Sequence, residues 1–203
     1  MSHPRQRPPV AAATSGPPWP ADFAAAVDRS LPPATVPARL PAFSLEDPDG
    51  QPRSIHSWPG KSLIINYWAT WCAPCRREVP LLQSLETEWA PKNLKVVGIA
   101  VDKPEKVRQF AAQYKIGYSL LIGEQDALDT AAAFGMTDPV FPFTVFTDHE
   151  SNVVALLVGE LHPPQAALIL GVIDDLNRKR IPLAIAKQRI ADGLRAMPRQ
   201  PDA

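Results

Sequence analysis

The stretch Leu63 to Leu85 reads LIINYWATWCAPCRREVPLLQSL. Up to Trp68 it is apolar at almost every position, the pattern of a central strand covered on both faces. Beyond the cysteines, Leu82, Leu85 and then Trp89 recur at helical spacing, with Pro80 expected to bend the helix because its ring removes one hydrogen bond. The only two cysteines, Cys72 and Cys75, stand where the first pattern gives way to the second, separated by Ala73 and Pro74. A thiol at the first turn of a helix meets unpaired backbone N–H groups and the positive end of the helix dipole, which favour thiolate over thiol. A second thiol one turn on can close a small disulfide ring. Cys72 therefore reads as a nucleophile and Cys75, one turn deeper, as a resolving thiol. The bare spacing also leaves room for a structural disulfide or half of a metal site.

Working outward, the turn Pro59-Gly60-Lys61 leads into a strand at Ser62 to Trp68, and Asp47-Pro48-Asp49-Gly50 folds QPRSI back onto AFSLED as a hairpin. Farther upstream, Phe23, Val27 and Leu31 lie four residues apart and predict a short amphipathic helix over Ala21 to Leu31. Downstream, Leu94 to Val101 is a second buried strand. Pro104 opens a helix whose buried face is Val107, Phe110, Ala111 and Tyr114. Tyr118 to Ile122 reads as a strand, and Asp126 to Phe134 as a helix stopped by Gly135. Phe143 to Thr147 and Val153 to Val158 form a hairpin across Asp148 to Asn152, a link without glycine in which Asn152 is expected to take the left-handed conformation. Gln165 to Leu176 is a core helix. In the last segment, Ile185, Ile190, Leu194 and Met197 mark the packed side of one more helix. Strands alternating with helices and ending in a hairpin imply an α/β fold, a mixed sheet with helices on both faces.

Composition narrows the function classes. The 203 residues carry 21 Lys plus Arg against 21 Asp plus Glu, so no global charge favours nucleic acid or an anionic membrane. Arg178-Lys179-Arg180 reads as a solvated helix end. Ten of the 24 prolines precede Ala42, which marks a proline-rich extension over residues 1–37. A main domain over 38–178 and a C-terminal helical extension over 179–203 follow. No run approaches the ~18 apolar residues of a membrane span, and the N-terminus lacks the apolar stretch of ~7–15 residues that a secretory signal requires. Without a second cysteine pair, and with His3, His56, His149 and His162 scattered, no metal and no cofactor are expected.

The run NYWATWCAPCRREVP, Asn66 to Pro80, resembles the thioredoxin-like proteins, and within them the branch typified by TlpA and ResA, thiol-disulfide reductases associated with cytochrome c maturation. The resemblance extends from about Leu40 to about Asn177. It implies a thioredoxin fold with an N-terminal hairpin and a strand-helix insertion between Val101 and Phe134. It also implies a cis proline at Pro142, in FPFTVF, with the Phe141 backbone facing a partner's extended chain and with Trp71 and Pro74 completing the groove. Plain thioredoxin has a buried acid where this chain has Asn66; Glu78, matching a glutamate of the ResA-like branch, would take over as proton relay. As a solvated helix charge, Glu78 would instead pair with the neighbouring arginines. The implied activity is reduction of disulfides in partner proteins by a Cys72/Cys75 cycle, recharged by an upstream thiol reductant. The implied compartment is the periplasm or cell envelope, or the cytoplasm if Met1 is the true start.

Three other classes compete. A peroxiredoxin would carry Thr and Pro at the positions of Ala69 and Ile65. A copper-handling relative would space its cysteines more widely and use a histidine such as His162. A non-catalytic interaction module would use the two extensions as docking elements.

Overall fold

The computed structural model describes residues 36–198, so the helix expected at Ala21 to Leu31 lies outside them. In chain order the elements are β1 (Ser44–Glu46), β2 (Pro52–Ser54), β3 (Ser62–Trp68), α1 (Ala73–Trp89), β4 (Leu94–Val101), α2 (Pro104–Tyr114), β5 (Ser119–Gly123), α3 (Gln125–Ala132), β6 (Phe143–Thr147), β7 (Val153–Val158), α4 (Pro163–Asn177) and α5 (Leu183–Ala196). They build one seven-stranded sheet in the order β2-β1-β5-β4-β3-β6-β7. Strands β3, β4 and β5 run parallel, and the remaining pairs are antiparallel.

All seven residues of β3 are buried, in keeping with its largely apolar run, and polar Ser62 and Asn66 are buried with the rest. Alternation along the strand sends them to two cores. Ile64 and Trp68 join α1, α2, α4 and α5, whereas Leu63, Ile65 and Tyr67 face α3 and the β1–β2 segment. Helices thus lie on both faces, four against one, and the side chain of Asn66 belongs to the four-helix face that carries the cysteines.

Both hairpin turns are built around a buried aspartate. Asp47 Oδ1 accepts N–H bonds from Asp49 and Gln51 at 3.0 Å each, and Asp148 Oδ1 accepts from Glu150 at 2.9 Å and Asn152 at 2.8 Å. In the second turn the left-handed residue is Ser151, φ 65°, and not Asn152 as expected. Asn152 is held in extended conformation by its bridge to Arg39 and by its side-chain bond to Asp148.

The face of α5 also differs from expectation. Ile185 is exposed and Met197 lies past the helix end, while Ala186 and Ile190 are buried with Leu183 and Leu194 packed beside them. Ile185 and Ile190 are five residues apart, about 140° around a helix, so the two cannot share one face. Small residues face the neighbouring helix because α5 comes very close to α4: a Cβ on Gly193 would sit 2.6 Å from Leu168 Cδ2.

Candidate active site

Strand β3 ends at Trp68, the chain turns at Ala69 with the Cys72 N–H bonded to the Ala69 carbonyl at 3.1 Å, and α1 begins. Cys72 is the N-cap of α1, in extended conformation, and its Sγ accepts the Cys75 N–H at 3.3 Å. Pro74 fits here because the first turn of a helix has no use for its missing N–H. No acidic residue occupies that turn, so the positive end of the helix stays uncompensated. Cys72 and Cys75 are joined in a disulfide with their Cα atoms 5.3 Å apart. Cys72 is 5% exposed and Cys75 1%, so both sulfurs are buried in the oxidised protein.

One turn farther along α1, Glu78 is buried beneath Asn66. Its Oε1 accepts the Asn66 Nδ2–H at 2.8 Å and its Oε2 accepts the Leu161 N–H at 2.8 Å. Asn66 also donates to Thr144 Oγ1 of β6 at 3.1 Å. Burial pushes the Glu78 carboxyl up to about 7; the two hydrogen bonds pull the other way, and the charge of Glu160 adds to the rise. Glu78 is therefore not a solvated charge paired with the neighbouring arginines. The arginine beside it, Arg77, engages Glu160 through Nε at 2.9 Å and Nη2 at 2.6 Å.

The peptide bond Phe141–Pro142 is cis, and the Pro142 carbonyl accepts the Gly159 N–H at 2.8 Å. The segment Gly159 to Leu161 thus touches both Pro142 and Glu78. Phe141 packs against the cluster that holds both cysteines, stacks on Phe143 and meets Trp71 edge-on with ring centroids 6.2 Å apart. Trp71 is 66% exposed, and Val140, the residue before Phe141, is 63% exposed. Sequence reasoning missed the exposure of Val140, which lies between Pro139 and Phe141 where no periodicity applies. It also missed Thr144, Leu161 and Asp102, whose relation to the cysteines exists only in three dimensions, and the tie that Asp102 makes to Thr70.

The positions that a peroxidase would fill with Thr and Pro hold Ala69 and Ile65, both fully buried in the two cores. His162 caps α4, its N–H bonded to Gln165 Oε1 at 3.0 Å. Among the described residues no group of three or more His, Cys, Asp or Glu side chains is placed to hold a metal ion, and no helix is long and apolar enough to cross a membrane.

Residues 36–156 match the model of the AhpC/TSA family. The chain is 40% identical over 127 residues to the thioredoxin-like protein YneN of Bacillus subtilis, an alignment that covers 61% of this chain and 71% of that protein. It is 27% identical over 127 residues to the thiol-disulfide oxidoreductase ResA of Geobacillus thermodenitrificans, covering 62% of this chain and 71% of that one. Among solved structures, a thiol:disulfide interchange protein of the thioredoxin family from Chlorobium tepidum superposes with a TM-score of 0.55 at 28% identity, over 74% of this chain and 97% of its own.

Proposed function

Because the chain belongs to the AhpC/TSA family, and within it is similar to thiol-disulfide oxidoreductases, we propose that it reduces disulfides in partner proteins through a Cys72/Cys75 dithiol cycle. The observation that carries this reading is Cys72 as N-cap of α1, disulfide-bonded to the buried Cys75.

In the reduced protein the Cys72 thiolate attacks one sulfur of the partner's disulfide. A mixed disulfide forms, and the partner's other sulfur leaves as a thiolate. Cys75 then gives up its proton and attacks Cys72 Sγ, so that the partner's second thiolate departs and the Cys72–Cys75 bond closes. Two electrons have passed to the partner, and an upstream thiol protein must return them before the next cycle. Both attacks need a thiolate and a good leaving group. The helix terminus favours the first. For the second, Glu78 lies three residues beyond Cys75 on the same helix, turned inward like it, with a carboxyl that changes protonation near pH 7. Trp71, Pro74, Phe141 and Pro142 form the groove for the partner's extended chain.

Substituting Cys75→Ser tests the order of events. The variant is expected to hold a partner protein in a mixed disulfide at Cys72, identifiable by mass spectrometry, and Cys72→Ser to hold none. Trapping by neither variant would overturn the reading. A reduction potential near or below about −250 mV agrees with a reductant, whereas one above about −150 mV would reverse the direction of electron flow.

A further inference from the structure

Strands β3 and β4 are parallel neighbours in register from Ser62↔Leu94 to Trp68↔Ala100, so their C-terminal ends lie side by side. Two residues beyond β3 comes Thr70, and one residue beyond β4 comes Asp102. The Thr70 hydroxyl donates to Asp102 Oδ2. The rest of Asp102 is fixed independently of the redox turn: Oδ1 accepts the Lys103 N–H at 2.8 Å and lies 3.6 Å from Lys106 Nζ, and the Asp102 N–H bonds to the Gly123 carbonyl at 3.1 Å. Asp102 is 8% exposed, so water competes little for these bonds.

Between Trp68, which is buried, and Trp71, which stands in solvent, the chain reverses its exposure within three residues and delivers Cys72 to the start of α1. Thr70 is the member of that turn with a side-chain tie to the sheet. We propose that Asp102 is a positioning residue for the redox pair, acting through Thr70 to hold the Ala69–Cys72 turn so that Cys72 Sγ stays at the N-terminus of α1 and Trp71 stays turned to the partner. The inference rests on Cys72 being the attacking thiol. Burial raises the Asp102 carboxyl, but the bonds from Thr70 and Lys103 and the charge of Lys106 outweigh it and hold the group below the usual carboxylate range. The anchor is therefore ionised at neutral pH, and a hydrogen bond to an ionised acceptor is among the stronger ones.

The test uses the full chain with Thr70→Val, Thr70→Ser, Asp102→Ala and the double variant Thr70→Val/Asp102→Ala. Threonine and valine are nearly the same shape and Thr70 is only half-buried, so the single variant keeps the packing. Two quantities are read: kcat/KM for reduction of insulin disulfides, and the rate of Cys72 alkylation by iodoacetamide against pH in a Cys75→Ser background. Thr70→Val is expected to lower kcat/KM roughly tenfold, the scale of one charge-assisted hydrogen bond. Its alkylation profile should shift to higher pH, because a sulfur that leaves the helix terminus loses thiolate stabilisation. Thr70→Ser should restore most of both. The double variant should be no slower than Asp102→Ala alone, since Asp102→Ala already removes the acceptor of the Thr70 hydroxyl. Multiplying losses in the double variant, or a lower melting temperature with an unmoved alkylation profile, would overturn the proposal. Alkylation of Cys75 in preference to Cys72 in the reduced wild type would instead overturn the assignment of the attacking thiol on which it stands.

Discussion

Replacing Glu78 with glutamine tests the physical state of the buried acid behind the disulfide. In the folded chain its carboxyl is raised from 4.5 to about 7, chiefly by burial, so the folded state holds this proton more tightly than the unfolded state does. A raised group contributes stability that is fully present below the unfolded value and is lost as pH rises through the folded one. At about 1.4 kcal/mol per unit, the rise of roughly 2.5 units is worth about 3 kcal/mol. Glu78 is 2% exposed, so solvent screening takes little from this figure. Unfolding free energy of the oxidised protein should therefore fall by about 3 kcal/mol on account of Glu78 as pH climbs from 4.5 to about 8. Glu78→Gln has no proton to lose. Its carbonyl can still accept the Leu161 N–H, and Asn66 can rotate its amide to meet the new NH2, so the variant should fold and lack this component of the pH dependence. Urea unfolding of both oxidised proteins across that pH window measures the difference. Parallel curves for wild type and variant would refute the reasoning, because they would mean that Glu78 titrates as an ordinary solvated carboxylate. The same substitution should slow closure of the mixed disulfide by roughly a hundredfold, the lower end of what a positioned acid or base supplies, seen as a longer-lived intermediate in quenched single-turnover reactions.

Gly98→Ala in β4 would place a Cβ 2.9 Å from Leu120 Cδ2 and 3.0 Å from Trp68 Nε1 and Tyr118 Cε2. Overpacking of this kind should cost about 1–3 kcal/mol in urea unfolding, and an unchanged midpoint would mean that β4 and β5 can part to admit the methyl group. Ile190→Ala should cost about 2–5 kcal/mol, because Ile190 is buried in the cluster that also contains the cysteines. A loss within about 0.5 kcal/mol would make α5 an appendage with no share in the domain core. Trp71→Ala removes an exposed side chain, so stability should hardly move while KM for a protein disulfide rises and Cys72 alkylation stays as it was. A lower kcat with KM unchanged would assign Trp71 to the chemistry rather than to docking.

The reagents of this site were legible in the sequence and their surroundings were not, and the division follows chain distance. Cys72, Pro74 and Cys75 stand together at the start of one helix, so a change of hydrophobic period and the first-turn rule place them without any knowledge of the rest. What sets the Glu78 pKa comes from elsewhere: burial beneath the packed sheet and the charge of Glu160 raise it, while the bonds from Asn66 on β3 and from the Leu161 N–H, 83 residues away, pull it down. Resemblance to the ResA branch supplied the role of Glu78, but its depth beneath Asn66 needed the folded chain. The misread face of α5 has a related cause. Hydrophobic periodicity weights large side chains, so it selected Ile185 over Ala186, yet at the close contact of Gly193 with Leu168 the helix needs residues that are small. The left-handed position in the β6–β7 turn was misplaced because intrinsic tolerance favoured Asn152, whereas the bonds that Asp148 and Arg39 make to Asn152 require it extended and pass the strained conformation to Ser151. In each case a local preference was outweighed by a partner distant in sequence or by a neighbouring side chain already committed. The Thr70–Asp102 tie is of the same kind: Thr70 sits inside the redox motif, but Asp102 does not stand out in its own stretch, and the two meet only because β3 and β4 end at the same level of the sheet.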